Sequence, residues 1–173
     1  MSFSRLSFTC IVLALLASCA SKPAAPTQVP PALRVGDDQQ LFLEALATGV
    51  QIYQCSQKAD GTFEWVFKSP EATLASPEGK TLGKHYAGPT WEATDGSTVV
   101  GTVKERDPGP TPSAIPWLLL TAKATTGSGT FTPTKSIQRL VTVGGVAPHE
   151  PCAAANLNQM ERVPYTARYY FYR

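Results

Sequence analysis

Polar and aromatic side chains with the chemistry of a functional site are concentrated between residues 83 and 101. His85 is followed at short spacing by Trp91, Glu92 and Asp95. An imidazole beside carboxylates is typical of acid–base catalysis, with His85 as the base and Glu92 or Asp95 orienting it. The same residue types also suit a binding site, in which aromatic rings supply contact area and a few polar groups supply orientation. The pattern leaves both interpretations open.

Two turn signals position these residues. Gly88-Pro89 predicts a bend, and Asp95-Gly96 predicts a hairpin. Strands are therefore predicted at 80–86, 90–93 and 98–105. Because binding residues are often found around turns, we expect a small-ligand or partner site at the end of a sheet, with Arg139 as a counter-charge from a later strand. The candidate site comprises His85, Tyr86, Trp91, Glu92, Asp95 and Arg139.

Other chemistry receives less support. Ser97 could act as a nucleophile, but it lacks the Gly-x-Ser-x-Gly elbow and belongs first to a hairpin turn. His85 and His149 are the two histidines, with Glu92, Asp95 and Glu150 as oxygen ligands, yet none of them pairs at metal-ligand spacing. We assign no catalytic residue, no metal and no cofactor.

The composition indicates one domain of β structure. The chain has 173 residues, of which 43% are hydrophobic and 16% are charged, so it can bury a core. A net charge of +2, with no basic patch between aromatic residues, argues against nucleic acid as a partner. The 13 glycines and 15 prolines favour many short elements separated by turns.

The N-terminal segment has the pattern of a targeting sequence. An apolar run at 8–17 follows Arg5, as in a secretory signal peptide. Leu16-Ala17-Ser18-Cys19 resembles the lipobox of bacterial lipoproteins, in which the cysteine is acylated. We expect residues 1–18 to be a signal peptide and residues 19–32, beginning with lipidated Cys19, to be a Pro/Ala-rich tether. The β domain is then 33–173, anchored in the cell envelope. Ala20 and Ser21 follow Cys19, with no aspartate, which resembles the pattern of lipoproteins sent to the outer membrane.

Cys55 and Cys152 are predicted to form a disulfide. Both would be exported to an oxidising compartment, where disulfides persist. Closing a loop of about 100 residues stabilises a fold by up to about 4.7 kcal/mol in the chain-entropy model. Two buried free thiols are the alternative.

Alternating apolar residues predict further strands. Residues 50–55 and 62–68 alternate clearly, and the aromatic row Phe63, Trp65 and Phe67 is predicted to be core. Residues 41–47 fit a helix or a strand, and residues 70–77 are predicted to be a loop or a helical turn. The apolar run at 115–120 suits a strand buried on both faces. Strands at 137–143 and 165–172 follow, the second paired inside the sheet. The prediction is an all-β, single-domain antiparallel sandwich or barrel with long loops and little helix.

Several phrases together resemble the secreted family of unknown function known as DUF3455. They lie at 49–55, 83–92, 95–97, 115–120, 137–139, 144–152, 164–167 and 169–172. The resemblance implies export and a β-rich domain, and it brings no catalytic residues. Some fungal relatives carry a malate dehydrogenase label, which we reject for this chain. The nearest dinucleotide motif, at Gly127 and Gly129, has Thr132 in place of its third glycine and no helix after it.

The sequence thus predicts a membrane-anchored, exported lipoprotein. Its β domain is expected to bind a small ligand or an envelope protein partner, or to be structural. The alternative is a secreted enzyme with hydrolase-like acid–base chemistry centred on His85.

Overall fold

A computed structural model describes residues 23–173, which form one closed antiparallel sheet. Each strand pairs with the next in sequence, and the last pairs with the first, so the sheet is an up-and-down barrel. The helical elements of the described residues are two 3₁₀ turns, Pro31–Leu33 and Ala154–Asn156. The strands are β1 Leu41–Gln57, β2 Phe63–Ala75, β3 Thr81–Tyr86, β4 Thr90–Ala93, β5 Thr98–Asp107, β6 Trp117–Thr126, β7 Ser136–Gly144 and β8 Met160–Tyr172.

The predicted all-β class is confirmed, and of the two predicted architectures the chain adopts the barrel. In the part of the chain that the structure covers, no helix is long and apolar enough to cross a membrane. The predicted signal peptide and Cys19 lie outside the described residues.

The barrel is packed solid at one end. Phe131, from the β6–β7 connection, is fully buried there, with its ring centroid 4.8 Å from that of Phe171. Trp91 contacts the same Phe171 edge-on, at 6.1 Å between centroids. Leu74 and Val99 are also fully buried in this core. Close packing of large side chains therefore seals this end of the interior.

A second apolar cluster covers the outside of β6, β7 and β8. The turn Pro31–Leu33 lies over it, with Leu33 fully buried. Gln138 Nε2 donates a hydrogen bond of 2.6 Å to the carbonyl oxygen of Leu33, and Tyr172 donates to Gln138 Oε1 at 2.7 Å. Leu118 faces the interior while Leu119 faces this cover, which confirms that the apolar run is buried on both faces. Val29 also packs here, so the end of the predicted tether lies against the barrel.

β1 and β2 are longer than predicted. The ambiguous residues 41–47 are strand and continue through Gly49, whose missing side chain lets the backbone of β2 approach: a Cβ there would lie 2.5 Å from Ala72 Cα. The predicted loop at 70–77 is wrong, because residues 70–75 belong to β2. Pro70 is tolerated since β2 pairs with β3 only from Ala72 onward, so no β3 partner needs its absent N–H group.

The predicted aromatic core on β2 is also wrong. Phe63 and Trp65 are only half-buried, and Phe67 is 47% exposed. This half of β2 extends past the end of β3 and borders the rim of the barrel. The indole N–H of Trp65 donates to the carbonyl oxygen of Glu150 at 2.8 Å.

β7 departs from simple alternation. Ile137 and Arg139 face the interior as one row, but Val141 has a φ of 50° and the pairing with β8 shifts beside it. The irregularity turns Val141 and Val143 outward, with 50% and 62% exposure. The inward-facing row of β7 therefore ends after Arg139.

The predicted disulfide is confirmed. Cys55 on β1 bonds to Cys152, with their Cα atoms 5.4 Å apart. The bond ties the long β7–β8 connection to β1. Backbone hydrogen bonds from Cys55 N to Gln159 O and from Asn158 N to Cys55 O, both 2.9 Å, support the same attachment.

Candidate ligand-binding cavity

The end of the barrel nearest the disulfide contains a cavity of about 500 Å³. Inward side chains of the strands line it, together with the β3–β4 turn at Gly88 and Pro89 and the segment before β6. Its apolar wall includes Trp91, Val103, Ile115, Leu118 and Leu120. The remaining lining residues are Gln51, Tyr53, Phe67, Lys68, Pro70, His85, Pro116, Arg106, Arg139 and Tyr169.

His85 and Trp91 form part of the inner wall of the cavity. They are directly opposite each other on β3 and β4, both inward-facing, and they are 2% and 1% exposed. Tyr169 of β8 meets both rings edge-on, with centroids 5.2 Å from His85 and 5.3 Å from Trp91. His85 and Trp91 both face inward because residues paired across antiparallel strands share a face.

His85 is held as a neutral ring. Its Nδ1 lies 2.8 Å from the carbonyl oxygen of Thr90, which can only accept, so Nδ1 carries the proton and Nε2 remains an acceptor. Burial lowers the pKa of His85 to about 3, with a smaller contribution from the charge of Arg139, against the opposing effect of the hydrogen bond to Thr90. At neutral pH, Nε2 of His85 is therefore a hydrogen-bond acceptor.

Arg139 brings a positive charge to this cavity. It lies between Leu118 of β6 and Tyr169 of β8 in the register of the sheet. Its Nε and Nη2 atoms donate to the carbonyl oxygen of Pro116 at 3.1 and 2.8 Å. None of the ion pairs found within residues 23–173 includes it. A guanidinium has five N–H groups, so donors on both terminal nitrogens remain beyond the two that bond Pro116, and the hydroxyl of Tyr169 lies close to them.

The tyrosines around Arg139 are neutral donors. Burial is the main cause that raises the pKa values of Tyr53, Tyr165 and Tyr169, and the charge of Arg139 opposes it in each case. Tyr53 donates to the carbonyl oxygen of Gly145 at 2.7 Å. The buried hydroxyls of Tyr165 and Tyr169 lie close to each other, and that of Tyr169 also lies close to Arg139, but neither makes a hydrogen bond of good geometry within the described chain. None of these phenols supplies a negative charge near Arg139.

Tyr86 and Glu92 lie on the outside of the barrel. Tyr86 donates to Glu92 Oε2 at 2.7 Å, and Lys84 Nζ lies 3.2 Å from Glu92 Oε1. Those two contacts lower the pKa of Glu92. Side chains alternate along these strands: His85 and Trp91 point inward, while their neighbours Tyr86 and Glu92 form a surface cluster.

Asp95 is part of a turn on the other side of β4. Its Oδ1 accepts hydrogen bonds from the N–H and hydroxyl groups of Ser97, at 2.9 and 2.6 Å. Its Oδ2 accepts from the N–H and hydroxyl of Thr130, at 2.8 and 2.7 Å. These bonds lower the pKa of Asp95 and join two loops. Asp95 and Ser97 therefore hold each other in a structural contact.

The six candidate site residues are consequently divided. His85, Trp91 and Arg139 line one cavity, whereas Tyr86, Glu92 and Asp95 do not. His85, Glu92 and Asp95 do not converge, so the arrangement on which acid–base chemistry was predicted is not assembled. Over residues 23–173, no three His, Cys, Asp or Glu side chains come together as a metal site.

Sequence reasoning missed several lining residues. Gln51 is 2% exposed and faces inward with Tyr53, as the alternation of β1 indicates. Because Gln51 shares a strand face with Tyr53 and with the disulfide cysteine Cys55, its inward direction could have been predicted from the sequence. The sequence does not indicate that Lys68, Arg106 and Phe67 line the cavity. Their positions at the rim depend on where the neighbouring strands end.

An up-and-down β-barrel with an interior cavity is the structural class that this fold and site define. The chain belongs to the family described as "Protein of unknown function (DUF3455)", whose model matches residues 36–173. The resemblance drawn from the sequence is thereby confirmed. No curated protein and no solved structure matches the chain.

Proposed function

We propose that this domain binds one small organic ligand inside its barrel. The observation that carries the proposal is the cavity of about 500 Å³ bounded by inward side chains. Ligand cavities in proteins commonly measure about 300–1,000 Å³ and combine apolar walls with a few polar groups. Eight-stranded barrels either fill their interior with side chains or hold one small ligand.

The contrast between the two ends of the barrel supports this function. Phe131 and Phe171 pack the interior at one end. At the other end, the interior also has large side chains, but those of Trp91, Leu118 and Leu120 border a cavity that they do not fill. Since protein interiors are normally close-packed, a cavity of this size with an apolar wall favours occupation by a ligand.

The proposal includes export and a lipid anchor at Cys19. The Cys55–Cys152 bond supports export, because disulfides persist in oxidising compartments such as the cell envelope. Acylation of Cys19 would hold the barrel at a membrane, and the ligand would then be a molecule of the envelope or its surroundings.

A matched pair of variants tests binding inside the barrel. Val103→Trp adds an indole on an inward position of β5 that lines the cavity. Thr102→Trp adds the same group at the preceding, exposed position of the same strand. Titration with the uncharged fluorescent probe N-phenylnaphthylamine should give saturable, one-to-one binding to the wild type and to Thr102→Trp. Val103→Trp should weaken it by about tenfold or more, because the added ring occupies the site.

Equal affinity of both variants for the probe would contradict binding inside the barrel. So would the absence of saturable binding of this probe, of naphthoate and of naphthalenemethanol to the folded wild-type protein. Thermal melting of each variant establishes that it is folded before its affinity is interpreted.

A further inference from the structure

We infer that the ligand is a small amphipathic anion, whose carboxylate is bound by Arg139 and whose apolar body lies against the wall of the barrel. This inference rests on the proposed function and specifies the ligand class of the same cavity.

The charges around the cavity are of one sign. Lys68, Arg106 and Arg139 are among its lining residues, and no aspartate or glutamate is. The chain as a whole is nearly balanced, with 15 Lys and Arg against 13 Asp and Glu. The positive charge is thus a local property of this cavity, and a cleft lined by one sign of charge concentrates ions of the opposite sign.

Arg139 is the cation of this group that lies inside the barrel. It is half-buried, whereas Lys68 and Arg106 are exposed. Elsewhere in the described chain, the carboxylate of the nearly buried Glu44 is matched by Arg168 at 2.7 Å. Within residues 23–173 Arg139 has no carboxylate partner, and its hydrogen bonds go to the neutral carbonyl oxygen of Pro116. Withdrawing a charge from water without a counter-charge is unfavourable. A bound anion would supply the missing partner.

The geometry of Arg139 suits a carboxylate. Pro116 occupies one edge of the guanidinium, through Nε and Nη2. The donors that remain lie on both terminal nitrogens, which is the fork that a carboxylate accepts in a bidentate manner. Gln51 and Trp91, which line the same cavity, carry the buried donors Nε2 and Nε1, and neither makes a hydrogen bond of good geometry in the described residues.

The apolar walls of the cavity favour a ligand with an apolar body over a bare inorganic ion. Trp91, Val103, Ile115, Leu118 and Leu120 surround the space next to Arg139. A hydrated phosphate or sulfate would leave these surfaces against water, whereas an aromatic or aliphatic body would remove them from it. The ligand therefore carries both an anionic group and an apolar body.

Naphthoate and its alcohol, naphthalenemethanol, form a probe pair with the same apolar body and a different head. Isothermal titration calorimetry on the oxidised wild-type protein should show naphthoate binding about ten- to a hundredfold more tightly than the alcohol, the range expected for charge-assisted hydrogen bonds. Inorganic phosphate should bind more weakly than naphthoate.

Arg139→Gln should abolish the preference for the acid and leave the affinity for the alcohol within about threefold, because the apolar wall is intact. Lys104→Gln and Lys123→Gln remove exposed cations that do not line the cavity and should change the affinity for naphthoate by less than about threefold. If Arg139→Gln does not fold, the comparison of acid and alcohol on the wild type still decides the question.

Equal binding of the acid and the alcohol to the wild type would overturn the inference and leave the proposed function standing. Tighter binding of phosphate than of naphthoate would also overturn it. If neither organic probe nor N-phenylnaphthylamine binds, the proposed function itself fails.

Discussion

The imidazole of His85 stacks on the indole of Trp91, with ring centroids 4.4 Å apart and planes 12° apart. The two residues face each other across β3 and β4, and both border the cavity. The stack therefore belongs at once to the core and to the candidate site. A substitution at either residue is therefore expected to alter stability and binding together.

His85 should make stability depend on pH. An unfolded histidine takes up a proton near pH 6.5, whereas the folded pKa of His85 is about 3. Its folded pKa is lowered, so its contribution is complete above pH 6.5 and is lost as the pH falls toward 3. The free energy of unfolding should fall by up to about 1.4 kcal/mol per pH unit in that window. Urea unfolding between about pH 7 and pH 5 measures this slope.

The control is His85→Gln, whose side-chain amide can still donate to the carbonyl oxygen of Thr90. This variant should be less stable at neutral pH but show a shallower loss of stability on acidification. Identical slopes in the two proteins would mean that His85 is protonated freely in the folded state.

The Cys55–Cys152 bond should stabilise the barrel. It closes a loop across 97 positions of sequence, and loss of such a native bond commonly costs about 2–5 kcal/mol. The Cys55→Ala/Cys152→Ala double variant should therefore unfold at lower urea concentration than the oxidised wild type. Reducing agent should destabilise the wild type and leave the double variant unchanged. Free thiols at both positions in protein recovered from the cell envelope would contradict this prediction.

Asp95 should matter more than an ordinary turn aspartate. Asp60 accepts from the N–H and hydroxyl of Thr62 just as Asp95 does from Ser97, but Asp95 also binds Thr130, 35 positions away. Asp95→Ala should lower the melting temperature more than Asp60→Ala, because it releases the β6–β7 connection from the β4–β5 turn. Naphthoate affinity should be unchanged, since Asp95 does not line the cavity. Equal melting temperatures would show that the Thr130 contact contributes nothing.

Cys19 should carry the membrane anchor. Residues 16–19 fit a lipobox, so Cys19→Ala should release the protein from membranes or block its processing. Fractionation and mass spectrometry of the mature N-terminus test this, with the wild type as control. A mature chain that begins at an unmodified Ala20 would contradict lipidation.

Local patterns predicted much of the fold. The β3 and β4 strands and the C-terminal part of β8 follow from alternation and turn residues, although β8 begins at Met160, five residues before the predicted start. The disulfide follows from the expected export of two cysteines to an oxidising compartment. The errors arise where tertiary context decides. Pro70 favours a loop when only the sequence is known, because the sequence does not show that β2 has a free edge there. Phe67 is likewise predicted to be core, because the sequence does not show that β2 extends past β3.

The site was predictable only in part. His85, Trp91 and Arg139 were named as candidates, but sequence alone could not separate them from Tyr86, Glu92 and Asp95. That separation depends on the closure of the barrel, which brings β7 beside β8 and β8 beside β1. Spatial neighbours such as Arg139 and Tyr169 come from strands whose order in the sheet no local pattern specifies.

The most direct test of ligand binding in the barrel uses the indole N–H resonances of the three tryptophans. Trp91 borders the cavity and its Nε1 lacks a partner in the described residues, Trp65 donates to Glu150, and Trp117 lies under the outer cover. In proton–nitrogen correlation spectra, saturating naphthoate should shift the Trp91 resonance most and leave that of Trp117 nearly unchanged. A saturable shift confined to Trp65 or Trp117, or no shift at Trp91, would contradict a ligand site inside the barrel.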